Sequence, residues 1–351
     1  MFHNRSLKFM EATMTNDLMI TFETLTPLWT GGVDGTMDRV HETGIIGSLR
    51  WWYEAIVRGL KGQACDPTTN PCIYDESKPH NGLCLGCHLF GATGWRRRFR
   101  MLVTDRTASS GPNGALQPTG NRYKRDGKAR PSWYFKGGRT GRLELRFVPT
   151  TSDFDPILLH GTVKLITRWG GLAAKPQLGY GLTEIVSQSV SFEPSRFVTA
   201  ISELAALQPA GSPTTLPSLD RMFFAEIDTP DRGVTATLNM KYDVRAAFRQ
   251  AFGNNQRLRH WVCGYVRGNE RQASKISYSQ AVGGGVRIWG WIPDNVPVSG
   301  VTRDQVIEQI RNTLSAYGTV SQWREFDSHR DTTGRETDFM TFLASLLEDR
   351  P

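Results

Sequence analysis

The segment GSLRWWYEAIVRGL (47–60) is decisive for the fold, because it predicts the helix around which the first half of the chain is arranged. Ser48 is a candidate N-cap, and the helical pattern ends at Gly62. The apolar residues of the segment recur with the period of one helix face. They are Leu49, Trp52, Tyr53, Ile56, Val57 and Leu60.

Four predicted strands and a second predicted helix flank this segment. Strands are predicted where apolar and polar residues alternate, and helices where apolar residues recur every three or four positions. The flanking elements are the strand DLMITFET (17–24), the strand RRRFRMLVTDR (96–106), the strand LELRFVPT (143–150), the helix DFDPILLHGTVKLITRWG (153–170) and the strand YGLTEIVSQSVSF (180–192). The order β-α-β-β-α-β predicts an α+β fold with a ferredoxin-like, or RRM-like, unit.

The second half of the chain predicts another α+β unit, which we interpret as a degenerate copy of the first. PAGSPTTLPS (209–218) has the composition of a linker. The predicted elements are paired strands at FFAEIDT (223–229) and GVTATLNMKY (233–242), a helix at DVRAAFRQAF (243–252), a hairpin at KISYSQAVGGGVRIWGWIP (275–293), and helices at 302–318 and 338–350. We therefore predict domains over residues 1–195 and 196–351.

The charge balance of the 351 residues favours an acidic partner. Lys and Arg number 42 against 34 Asp and Glu, a net charge of +8, and nucleic acid is the commonest acidic partner of basic proteins. No apolar stretch has the length of a secretory signal or a membrane span, so a cytoplasmic location without membrane contact is expected. In that compartment cysteines are reduced, which favours metal binding over disulfides.

Four cysteines predict a structural metal site. The pattern is C-x6-C-x11-C-x2-C, formed by Cys65, Cys72, Cys84 and Cys87. Zn²⁺ is the expected ion, since four thiolates close a tetrahedral site and leave no position for water chemistry. The intervening segment is rich in Pro, Asn, Asp and Gly and needs such a cross-link. Iron in place of zinc, and free buried thiols, remain the alternatives.

His80 and His88 are spare ligands in this prediction, and Cys263 lies far away in the sequence and is expected in the core.

Two basic stretches predict contact with a phosphate backbone. Strand alternation in GWRRRFR (94–100) places Arg96, Arg98 and Arg100 on one face, although a solvated strand face has the same pattern. The basic insertion (107–140) interleaves cations, Lys124 and Arg125 among them, with four aromatic residues. Cations and rings together are typical of loops that hold single-stranded RNA, whereas a flexible surface insertion is the alternative.

A third stretch, the glycine-rich loop GGLAAKPQLGYGLTE (170–184), follows the second helix. Its glycines permit a close approach of the backbone to a ligand, and Lys175 adds a charge. An ordinary helix-to-strand turn explains the same pattern.

Taken together, these stretches resemble the RAMP superfamily of CRISPR systems, and within it the first RAMP subunit of type III-B effector complexes. The resemblance lies in TPLWTGGVDGTMDRVHETGIIGSLRWWYEAIVRGL (26–60), CLGCHLFGATGWRRRFR (84–100) and KPQLGYGLTEI (175–185). It covers most of residues 20–190, and the second half matches only loosely through GGGVRIWGWIP (283–293). It implies two ferredoxin-like domains with insertions, the cysteine-rich one (61–88) stapled by zinc, and a place in an RNA-guided ribonucleoprotein.

The resemblance also implies a non-catalytic role in antiviral defence. Such a subunit holds guide RNA near its 3′ end together with the paired single-stranded target RNA, beside other RAMP subunits. The candidate RNA contacts are Arg50, Trp51, Arg96, Arg98, Arg100, Lys124, Arg125, Lys175, Gly179 and Gly181.

Two other functions stay open at the level of the sequence. Cleaving RAMP subunits carry an aspartate in the loop after the first strand, where this chain has Asp34 and Asp38, so a metal-dependent endoribonuclease is one alternative. A zinc-stabilised protein-interaction module is the other.

Overall fold

The computed structural model describes residues 17–122, 124–125, 127–129, 133–208, 215–230 and 233–348. The strands are β1 Leu18–Thr24, β2 Phe99–Ser110, β3 Gly114–Leu116, β4 Lys124–Arg125, β5 Lys128–Ala129, β6 Trp133–Phe135, β7 Gly138–Pro149, β8 Thr183–Gln188, β9 Met222–Asp228, β10 Tyr265–Arg267, β11 Glu270–Gln272, β12 Ile276–Tyr278, β13 Gly285–Trp291 and β14 Thr319–Glu325. The helices are α1 Glu42–Gly59, α2 Leu85–Phe90, α3 Ile157–Trp169, α4 Pro194–Leu207, α5 Gly233–Ala251, α6 Gln256–Cys263, α7 Arg303–Ser315 and α8 Phe339–Leu347. Short 3₁₀ turns lie at Pro79–Gly82, Gly120–Arg122, Pro176–Leu178 and Leu219–Arg221.

The first half of the chain forms an antiparallel sheet in the order β2-β7-β1-β8. With α1 between β1 and β2 and α3 between β7 and β8, this is the ferredoxin-like arrangement, and the predicted fold class is confirmed. One face of the sheet is buried by alternate residues such as Ile20, Leu145 and Phe147, which meet the apolar faces of α1 and α3.

The second half repeats the same strand order. Its sheet runs β12-β13-β9-β14, again antiparallel, with α5 and α6 before β12 and α7 before β14. The predicted hairpin is confirmed as the pair β12 and β13. Thr302 caps α7 in a reciprocal capping box with Gln305, as the predicted amphipathic helix requires. Residues 209–214 of the predicted linker lie outside the described residues.

The strand predicted at 233–242 is wrong, because this segment is the first half of the single helix α5. The buried residues Ala236, Met240, Val244 and Phe248 are spaced by four, the period of a helix face. The alternation in Val-Thr-Ala-Thr-Leu is local, and burial along the longer four-residue period overrides it.

Two boundaries in the first half also differ from prediction. Helix α1 begins at Glu42 after the N-cap His41, so Ser48 lies inside the helix, and it ends at Gly59 before Leu60. Strand β2 begins at Phe99, which pairs with Pro149, the last residue of β7. Arg96 and Arg98 therefore precede the strand, and the pairing of the two chain segments ends with the amide of Thr150 donating to the carbonyl of Arg98 at 2.9 Å.

The two halves share a continuous apolar core. Trp52 of α1 stacks on Phe224 of β9 with the ring centroids 6.3 Å apart, and Trp169 of α3 donates its indole N–H to the carbonyl of Leu346 in α8 at 2.7 Å. Elements distant in sequence thus position one another. Within the described residues, no helix combines the length and the apolarity that crossing a bilayer requires.

Candidate metal centre and RNA interface

The cysteine cluster (Cys65, Cys72, Cys84 and Cys87) forms as predicted, with the four Sγ atoms within 4.8 Å of one another. A tetrahedral site with metal–sulfur bonds of about 2.3 Å has its sulfurs about 3.8 Å apart, so small side-chain rotations bring all four to one ion. Cys84 caps the N-terminus of α2 and Cys87 lies in its first turn, which fixes half of the site on one short helix. The cluster can hold a metal ion.

Backbone amides point at the sulfur atoms, as they do in sites that stabilise thiolates. The amides of Cys65 and Cys87 donate to the Sγ of Cys84 at 3.4 and 3.5 Å, and the amide of Cys84 donates to the Sγ of Cys72 at 3.4 Å. The thiol of Cys65 lowers the pKa of the Cys84 thiol by donating to it, whereas burial raises the pKa of Cys72 to about 11. The protein alone therefore compensates only part of the negative charge that four thiolates would carry, so the fully deprotonated cluster requires a cation.

A hydrogen-bonded row of three α1 side chains, Arg50, Glu54 and Arg58, supports the cysteine cluster. Arg50 donates Nε–H to Glu54 at 2.7 Å, and Arg58 donates to the other oxygen of Glu54 at 3.1 Å. Arg58 also donates to the carbonyl of Cys65 at 2.9 Å. Gly86 lets α2 lie against this row, since a Cβ at this position would be 2.7 Å from a Glu54 carboxylate oxygen. Helix α1 thus connects the cysteine cluster to the core.

The guanidinium of Arg50, a predicted RNA contact, is engaged in this support. Its remaining nitrogens donate to the carbonyl of Gly91 at 3.2 Å and to the Sγ of Cys87 at 3.1 Å. Three of the five N–H donors of Arg50 thus have protein partners and its side chain is only 19% exposed, so we do not include Arg50 among the proposed phosphate contacts.

The spare ligands of the sequence prediction have other partners. His88 packs on the Trp95 ring with the centroids 5.4 Å apart and lies 3.2 Å from Arg98 through Nε2. His80 lies outside the metal-ligand group, which consists of cysteines alone among the described residues. Cys263 is the last residue of α6, half-buried against a separate apolar cluster within the second half that includes Phe223, Phe248 and Trp323.

The three arginines of the predicted basic face separate in the structure. Arg100 is exposed on β2, between the buried Phe99 and Met101, and Arg96 is exposed in the preceding loop, where it donates to the carbonyl of Thr150 at 3.4 Å. Arg98 is turned inward. Its guanidinium lies 4.1 Å from the Trp95 ring centroid and 3.5 Å from Asp153, so it packs beside the cysteine-rich insertion.

The basic insertion is anchored to the second half of the chain. Arg122 donates Nε–H to Asp243 of α5 at 2.9 Å, and the amide of Thr119 donates to Asn239 at 2.9 Å. This anchoring argues against the flexible-loop alternative for the described part. Lys124 is exposed on β4, whereas the side chain of Arg125 lies outside the described residues.

The aromatic residues of the insertion serve different purposes. Phe135 is buried against Tyr180 with the ring centroids 6.1 Å apart, so it cannot stack on a base. Tyr134, in contrast, is 75% exposed, and Tyr123 lies outside the described residues.

The glycine-rich loop lies between the two halves of the chain, and its glycine amides donate to carbonyls of the protein itself. The amide of Gly179 donates to Pro176 at 3.1 Å and that of Gly181 to Pro27 at 3.0 Å, so neither predicted RNA contact has its amide N–H free for a phosphate. Both glycines have positive φ, and a Cβ on Gly181 would be 2.2 Å from the carbonyl oxygen of Leu172. The glycines are present because the chain packs too tightly for a side chain.

Lys175 has a different environment, over an aromatic ring at the edge of the same loop. Its Nζ lies 3.6 Å from the Trp29 ring centroid, and burial with the nearby Lys136 lowers the pKa of Lys175 to about 8. The ammonium is held in place beside the loop that follows β1 and is half-exposed there.

The two candidate catalytic acids organise the loop after β1. Asp34 accepts from the amide and the hydroxyl of Thr36 at 2.9 and 2.6 Å, and these bonds lower its pKa. Asp38 pairs with the Nε2 of His41 at 2.7 Å, which lowers the pKa of Asp38. Both acids are exposed, and neither belongs to a group of three or more metal ligands within the described residues. These hydrogen bonds explain the presence of the two acids by the structure of the loop, and they add no support for metal-dependent cleavage.

Tertiary structure adds an aromatic cavity that the sequence prediction missed. A cavity of about 470 Å³ lies between Trp51 of α1, the glycine-rich loop and the second sheet, where Trp289, Trp291 and Lys275 line it. Lys275 lies 4.3 Å from the Trp291 ring centroid. The WGW motif of β13 was the available signal, but only the packing of the two halves shows that it faces Trp51.

The first half of the chain matches a known protein family. The family profile described as the RAMP superfamily matches residues 21–184. No curated protein sequence matches the chain at a significant level.

Solved structures resemble the chain at low sequence identity. The crystal structure of Cmr1 from Pyrococcus furiosus in its apo form shares 14% identity over 86% of this chain and 97% of that one, with a TM-score of 0.47. A chain of a type III-B Cmr-beta complex bound to cognate target RNA shares 10% identity over 85% and 99%, with a TM-score of 0.48. A chain of the same kind of complex with AMPPnP and single-stranded DNA present shares 11% over 85% and 98%, with a TM-score of 0.46.

The family match spans the first sheet from β1 to the start of β8, together with the cysteine-rich and basic insertions. Residues 21–184 of this chain therefore match the RAMP superfamily.

Proposed function

We propose that this chain is a non-catalytic RNA-binding subunit of a type III-B CRISPR effector, the Cmr complex. In that role it holds guide RNA near its 3′ end and the paired target RNA, beside other RAMP subunits. The observation that carries the proposal is the RAMP match over residues 21–184, a region whose exposed side chains include several cations. A subunit that must accept any guide benefits from contacts to phosphate, because base pairing carries the specificity.

The contacts we propose are those candidates whose side chains reach the surface or line a cavity. Arg96, Arg100 and Lys124 are exposed, and Lys175 is half-exposed over Trp29. Trp51 lines the aromatic cavity, where an unpaired base has a ring to stack on.

The test is the binding of a labelled single-stranded RNA to the purified protein across a salt series. The double variant Arg96→Gln/Arg100→Gln is compared with Arg196→Gln, an exposed arginine on α4 that pairs with Asp155. Each lost phosphate contact reduces the slope of log affinity against log salt by about 0.7. We expect a loss of slope in the double variant alone. An equal effect in both proteins contradicts the assignment, and salt-independent or absent binding favours a protein-interaction module instead.

We further propose that the cysteine cluster holds a structural Zn²⁺. Four thiolates with no other ligand suit Zn²⁺, and the amide–sulfur bonds together with Arg50 would offset part of the charge of the thiolates. The ion would tie the cysteine-rich insertion to α2 and, through Arg50 and Arg58, to α1.

Metal analysis of the purified chain tests this assignment. We expect about one zinc per chain, lost in Cys72→Ser, with unchanged zinc in Cys263→Ser as the control. Iron in the purified protein, with a visible charge-transfer spectrum, would identify the ion as iron and not zinc. Unchanged folding stability in the presence of a strong chelator would contradict a structural metal.

A further inference from the structure

A second and larger cavity lies in the other half of the molecule, between the basic insertion, α5, α6 and the hairpin β10–β11. Its volume is about 690 Å³, within the range of small-molecule sites. Five cationic side chains line it, besides His260. They are Arg122, Lys241, Arg245, Arg249 and Arg267.

The positive charge of this cavity is not balanced by acidic side chains in its lining. No Asp or Glu occurs among the described residues that line it. Arg122 has an acidic partner, Asp243, at 2.9 Å, which is outside the lining. Burial lowers the pKa of Lys241 to about 8, as expected for an ammonium that lacks a compensating anion. A concave site lined by one sign of charge attracts ligands of the other sign.

Hydrogen bonds within the protein hold Lys241 and Arg245 in place and use only some of their N–H donors. Arg245 donates to the carbonyl of Gly264 at 2.8 Å, and Lys241 donates to the carbonyl of Gln177 at 2.9 Å. The Nε of Arg249 is buried and has no hydrogen-bond partner within the described part of the chain. An arginine has five N–H donors and a lysine three, so most of the donors of Lys241 and Arg245 remain for a ligand.

Aromatic rings line the rest of the cavity. His260 and Tyr265 stack on each other with ring centroids 4.6 Å apart and an interplanar angle of 20°, so this part of the cavity wall is an aromatic pair with one outer ring face on each side. Trp133 and Tyr242 contribute further ring surface. Rings beside clustered arginines are the combination that binds the base and the phosphate of a nucleotide.

We propose that this cavity binds a nucleoside phosphate, either free or as one nucleotide of an RNA chain. Arg245, Arg249 and Arg267 contact the phosphate, and the His260–Tyr265 wall contacts the base. The inference goes beyond the proposed function, because the cavity shares no residue with the RNA contacts proposed above.

The experiment measures the binding of adenosine 5′-monophosphate, adenosine and inorganic phosphate to the full chain by calorimetry. Arg249→Gln and Arg267→Gln are compared with Arg271→Gln, which lies in the same hairpin but outside the cavity. Arg267 is exposed, so its replacement tests the site even if Arg249→Gln fails to fold. We expect the monophosphate to bind more tightly than adenosine or phosphate alone, and each cavity variant to weaken it about tenfold or more.

The competing outcomes are distinct. Displacement of the monophosphate by a short single-stranded RNA identifies the site as one for a nucleotide of RNA, whereas binding that survives saturating RNA identifies a free nucleotide. No binding of the monophosphate at millimolar concentration, or an equal loss in Arg267→Gln and Arg271→Gln, overturns the proposal. RNA binding through Arg96 and Arg100 is unaffected by either result, so this inference and the proposed function fail separately.

Discussion

Replacement of Glu54 by glutamine tests whether α1 supports the cysteine-rich insertion. The carboxylate is almost fully buried, with 5% of its side chain exposed, between Arg50 at 2.7 Å and Arg58 at 3.1 Å. Gln keeps the shape and removes the charge, which leaves two guanidinium groups in a poorly solvated site. Loss of one partner from a buried ion pair costs about 3–5 kcal/mol.

The structure places the expected cost at the lower end of that range. Arg58 retains the carbonyls of Cys65 and Pro217 as acceptors, at 2.9 Å each, and Arg50 retains Gly91 and Cys87. We therefore expect the free energy of unfolding to fall by about 3 kcal/mol. Because Arg50 loses the bond that orients it toward the cluster, we also expect metal affinity to fall about 10- to 100-fold.

The matched control is Glu42→Gln at the first turn of the same helix. Glu42 pairs with Arg39 at 3.4 Å, but the two side chains are 40% and 57% exposed, so the pair contributes at most about 1 kcal/mol. Urea unfolding followed by tryptophan fluorescence measures the stability, and competition with a chromogenic chelator measures metal affinity. If Glu54→Gln loses no more stability than Glu42→Gln and keeps its metal, then α1 does not support the insertion and the reasoning is refuted.

Three further predictions concern the RNA interface and the junction of the two halves. Burial lowers the pKa of Lys175 to about 8, so its charge is present below that pH and lost above it; RNA affinity should fall between about pH 7 and about pH 9, and Lys175→Arg should flatten this profile in a filter-binding titration. Gly181→Ala should destabilise the protein by about 1–3 kcal/mol more than Gly268→Ala, because both glycines have positive φ but only Gly181 would bring a Cβ against Leu172, and equal melting temperatures would contradict this. RNA incubated with Mg²⁺ should remain intact on a sequencing gel; cleavage that disappears in Asp38→Ala would establish the nuclease alternative.

Much of the fold could be predicted from local pattern, since it depends on interactions between residues close in sequence. The alternation in β1 and β7 and the helical period of α1, α3 and α7 each appear within one segment, and their order implies the ferredoxin-like sheet. The C-x2-C motif likewise predicts half of the cysteine cluster, because both sulfurs belong to one turn. Local pattern failed for α5, where five alternating residues suggested a strand within a helix whose buried face has a four-residue period.

The roles of individual charged residues were decided only by the tertiary structure. Arg50, Arg98 and Arg100 look alike in the sequence, yet Arg50 supports Cys87, Arg98 packs on Trp95, and Arg100 is exposed on β2. The aromatic cavity at Trp51 and the cationic cavity at Arg249 are built from segments more than a hundred residues apart. A charge binds a ligand only where its protein partners leave donors free, and those partners are brought together by folding across the whole chain.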